Sequence, residues 1–66
     1  MTLESRLNIA DPDGFYEELI NSQRDLSEPD ALLFQARLVL ILANQVGDRA
    51  ILTEALALAR QGLPAA

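Results

Sequence analysis

The side chains best placed to hold a proton or a cation in this sequence are carboxylates: ten Asp and Glu stand against five Arg, with no His and no Cys. Asp11, Asp13 and Glu17 cluster at the start of a helical segment and could ligate a hard cation through oxygen. An EF-hand loop needs acidic or amide residues at alternating positions, a central Gly and a closing Glu at fixed spacing, and this stretch lacks that pattern. Helix capping and complementation of the helix dipole account for all three residues. Glu17 and Glu18 are adjacent, so on a helix they diverge and form no converging acid–base pair. Without His or Cys there is no base-activated nucleophile of the usual kinds, and Ser22 and Ser27 read as solvent-facing and capping residues. Gly14, Gly47 and Gly62 are too far apart to build a phosphate loop. The expectation is a protein that is not an enzyme, with no catalytic residue, no metal site and no cofactor.

The same charge balance bears on partners. A net charge of −5 repels phosphate backbones and anionic lipid. A helix-turn-helix reading comes from the junction at Gly47-Asp48, with Arg49, Thr53 and Arg60 on the exposed face of the candidate recognition helix. Two arginines beside Glu54, in a chain without lysine, are a poor electrostatic footprint for DNA. The longest unbroken apolar run, Leu38 to Ala43, is six residues, against the roughly 20 that a membrane span requires. Met1 to Ala10 carries Glu4 and Arg6 and has no apolar core segment of the kind a signal peptide needs. A cytoplasmic protein that binds neither nucleic acid nor membrane is expected.

These residues must be positioned by helices. The 66 residues make a single domain, with residues 1–10 as an extended N-terminal arm and 62–66 as a C-terminal tail. Disulfides are excluded, so any stability beyond a small core must come from packing or self-association. Asp11 as N-cap and Pro12 at the first helical position open a helix over about 12–26, with Phe15, Tyr16, Leu19, Ile20 and Leu26 on one side. Ser27 caps a second helix over about 28–46, with Pro29 in its first turn and Asp30 at the position of a capping-box partner. Gly47 is a left-handed C-cap, and Asp48 caps a third helix over about 49–61 at once. So short a turn predicts that helices two and three form an antiparallel hairpin. Gly62, Leu63 and Pro64 end the chain's last helix, with Leu63 folding back on Leu58 in a Schellman ending.

The second helix departs from the pattern of a surface helix. Asp30, Arg37 and Asn44 recur every seven residues and make one narrow polar stripe. Gln35 and Gln45 are the only other polar side chains from Ala31 to Val46. Apolar residues therefore surround roughly three quarters of the circumference, against a stripe of ~100° or slightly more on a surface helix. Two short one-faced neighbours can cover about two sides. Leu33, Phe34, Leu40 and Ile41, with Arg37 and Asn44 as a polar seam, are the candidate protein interface, and a dimeric helical bundle is expected. The competing arrangement is a self-contained three-helix bundle in which Leu3, Leu7 and Ile9 fold over the remaining side, leaving Arg37 and Asn44 as a solvent-facing stripe.

The stretches from Asn8 to Glu17 and from Ala36 to Asp48 resemble a family of short bacterial proteins of unknown function, an uncharacterised domain, with similarity from Asn8 to Arg60. The resemblance implies a helical unit and supplies no catalytic residues. It also implies a setting near flavin-dependent monooxygenases of aromatic breakdown, and hence an accessory or subunit role. The function expected is a non-catalytic interaction module that forms a homodimer or docks as a small accessory subunit on a larger enzyme through helix two, a flavin-dependent enzyme being the partner that the resemblance implies. The alternatives are a regulator that binds a small ligand or metal between the helices and, behind it, a helix-turn-helix DNA binder.

Overall fold

Each helix begins where the sequence supplies an oxygen for its free amides. A computed structural model describes residues 3, 4 and 6–65, in three α-helices with no strand among the described residues. Helix α1 spans Pro12–Ser22, α2 spans Glu28–Val46 and α3 spans Arg49–Arg60. Asp11 Oδ1 accepts from the Gly14 N–H at 3.1 Å, and Ser27 Oγ accepts from the Asp30 N–H at 3.2 Å. Asp48 Oδ1 takes two donors, the N–H groups of Ala50 at 2.9 Å and Ile51 at 3.2 Å. Three caps of the expected type thus satisfy first-turn donors that would otherwise need water.

The helix ends differ more from expectation. α2 closes as read, on Gly47 at φ 67, whose N–H donates to the Ala43 carbonyl at 2.9 Å. α1 stops at Ser22 instead of continuing to Leu26. The Ser22 hydroxyl donates to the Glu18 carbonyl, and the Gln23 amide donates to that of Leu19, so side chains compete for the final carbonyls. The chain then reverses through Asp25 at φ 68, a left-handed conformation that Asp tolerates better than most residues. α3 has no Schellman ending. Gln61 at φ −57, ψ 131, Gly62 at φ 78 and a bond from the Leu63 N–H to the Arg60 carbonyl describe a type II turn. Leu63 stays exposed.

Two polar contacts tie the ends of the fold together. Gln35 of α2 donates to Gln23 after α1 at 2.8 Å, and the Leu3 N–H donates to Glu54 of α3 at 3.3 Å. Leu7 and Ile9 do not pack over α2: Leu7 is 82% exposed and Ile9 is exposed as well, while Leu3 is half-buried. Met1, Thr2 and Ser5 of the expected arm, and Ala66 of the tail, lie outside the described residues.

The packed interior is small. α2 and α3 are in contact, with Ile51 at 8% exposure and Leu52 and Ala55 half-buried. Among the described residues no other side chain reaches the exposure of a core position. The accessible surface is 6029 Å², where a compact chain of 7.2 kDa would show about 4,100 Å². The radius of gyration, 13.6 Å, likewise exceeds the ~11 Å of a compact 66-residue domain.

Candidate interaction surface

Helical geometry places the expected interface residues together. At about 100° per residue, Leu40, Leu33, Asn44, Arg37, Asp30, Ile41 and Phe34 fall within one sector of about 120° on α2. The structure leaves this sector open. Leu40 is 70% and Ile41 60% exposed, Leu33, Arg37 and Asn44 are exposed, and Phe34 is half-buried. The polar stripe therefore faces solvent in the single chain.

At the N-terminal end of this sector, Leu26, Asp30, Leu33, Phe34 and Arg37 line a cleft of about 420 Å³. The turn after α1 makes it, because the reversal at Asp25 carries Leu26 back beside the first turns of α2. Asp30 and Arg37 stand seven residues apart, about 10.5 Å along the axis, too far to pair on their own helix. Among the described residues neither side chain has an ion-pair partner.

A second apolar surface lies on the other side of α2. Val39 and Ala43 join Arg49, Leu52, Ala55, Leu56 and Ala59 of α3 around a groove of about 470 Å³. Leu32, Val39 and Val46 recur every seven residues and form an exposed ridge along it. Leu56, 68% exposed, stands beside the groove because α3 is buried mainly at its first turns. The seven-residue spacing of Leu32, Val39 and Val46 is visible in the sequence.

The residues of the other readings are engaged locally. The Asp11 carboxylate caps α1, while Asp13 and Glu17 are exposed. Among the described residues no group of three or more acidic side chains is arranged to hold a metal ion. Thr53 donates its hydroxyl to the Arg49 carbonyl at 3.0 Å, and Arg60 donates to the Leu63 carbonyl. Two of the three side chains of the helix-turn-helix reading thus bond to their own backbone. Among the described residues no helix is long and apolar enough to cross a membrane.

A family model described as a protein of unknown function, DUF2783, matches residues 3–61. The chain belongs to the DUF2783 family. The match takes in all three helices and both apolar surfaces of α2, so the open face is part of the DUF2783 unit. No curated protein and no solved structure matches this DUF2783 chain.

Proposed function

We propose that this domain is a non-catalytic, cytoplasmic protein-interaction module that buries the Leu33–Asn44 face of α2 against another protein chain. The observation that carries the reading is the open surface: the chain exposes about 1,900 Å² more than a compact chain of this mass, and α2 alone leaves Leu32, Leu33, Val39, Leu40, Ile41, Leu42 and Val46 exposed. Each such side chain left in water forgoes about 1.5–3 kcal/mol of burial. Three or four of them match the stability of a whole small domain, so association is the larger energetic term. A second copy of the chain and a larger enzyme, including a flavin-dependent one, are the two kinds of partner.

Sedimentation of the purified chain at low micromolar concentration, beside capture from the native cell with mass spectrometry, tests the module and separates the two partners. Leu40→Asp and Ile41→Asp should each abolish the complex while leaving helical content in place. A chain of single mass that binds no hydrophobic dye, captures nothing and is indifferent to both substitutions would defeat the reading.

A further inference from the structure

Resting on that reading, we infer that the partner of this face is a second copy of the chain, paired antiparallel along α2 about a two-fold axis between Leu33 and Phe34. The charges select this arrangement. With the axis there, Asp30 stands opposite the second copy's Arg37, and by symmetry Arg37 stands opposite the second copy's Asp30. Among the described residues both charges are unpaired, and both line one cleft, so the interface neutralises two ions on each copy. Leu33 then meets the second copy's Phe34 at the centre, and Leu40 and Ile41 of each copy reach the turn before the second copy's α2, where Ser27 and Leu26 stand.

Other registers are worse. An axis at Arg37 sets two guanidinium groups face to face, and one at Asp30 sets two carboxylates face to face. A parallel pair does both at once. Moving the axis between Leu40 and Ile41 puts Arg37 opposite Asn44 without repulsion but leaves Asp30 unpaired.

Charge reversal in trans tests the register. Asp30→Arg and Arg37→Asp each create two like-charge contacts per pair and should weaken self-association on the order of a hundredfold. Mixed in equal amounts, the two variants regain complementary charges at both positions. The mixture should sediment at twice 7.2 kDa and recover wild-type helical content, even if neither variant folds alone. Wild-type chain at double mass with a mixture that stays dissociated overturns this register while leaving the interaction module standing. A mixture no better than Arg37→Asp alone, with Asp30→Arg indistinguishable from wild type, points to the Arg37–Asn44 register and equally overturns it. Wild-type chain of single mass at high micromolar concentration overturns self-pairing, whatever larger protein the face captures.

Discussion

Asp11 performs two tasks that pull on different properties of its side chain. Its carboxylate caps α1, and its backbone sits at φ 55, where a Cβ is a steric cost. Asp11→Ala loses about 1 kcal/mol of capping and keeps the left-handed backbone strain. Asp11→Gly loses the cap oxygen but relieves the backbone. Urea denaturation should therefore find the alanine variant about 1 kcal/mol less stable than wild type, and the glycine variant only a few tenths less. Equal losses would show that the backbone conformation contributes nothing. The sequence announces the cap at Asp11 but gives a misleading account of Gly14, which reads as a mere weak helix former. A Cβ at Gly14 would lie 2.7 Å from the Asp11 carboxylate carbon, so the glycine makes room for the cap. That relation depends on a left-handed Asp before a proline, a conformation no spacing rule signals.

At the scale of elements, what could be read ahead depends on whether the signal is local. The three helix starts and the end of α2 are set by residues within a turn of each boundary, and Ser27, Gly47 and Asp48 sit where their chemistry places them. The end of α1 was not legible, because Ser22 and Gln23 spend their side chains on backbone carbonyls instead of prolonging the helix. Nor was the reach of α3: burial concentrated at its first turns leaves Leu56 and Leu58 exposed. The grouping of Leu33, Phe34, Arg37, Leu40, Ile41 and Asn44 on one sector of α2 was legible because periodicity fixes which residues share a face. The cleft beside it was not, since it needs the reversal at Asp25 to bring Leu26 back. Ile51 is the point on which the α2–α3 contact turns. Ile51→Ala should cost about 2 kcal/mol, the low end for a core aliphatic because the site borders solvent. Amide exchange should quicken throughout α3 and less in α1. Uniform quickening would mean that the three helices open as one unit.

For the whole molecule, the thin interior makes concentration the variable to test. If folding and pairing are linked, the melting temperature should rise as the chain is concentrated from the low to the high micromolar range, because mass action favours whatever binds the folded state. A melting temperature constant over that range would assign all the stability to the single chain. Scattering from the Leu40→Asp variant at low concentration should return a radius near 13.6 Å if the open shape belongs to the lone chain, and a smaller value if the helices close on themselves.

The ridge of Leu32, Val39 and Val46 sits about 160° around α2 from the centre of the sector proposed to meet a second copy. Closing one therefore cannot cover the other. A two-fold assembly would display that ridge and its α3 groove twice, outward and related by the same axis. Its valency toward any third molecule would be two, and a target carrying two matching sites would be held by avidity that neither half possesses alone.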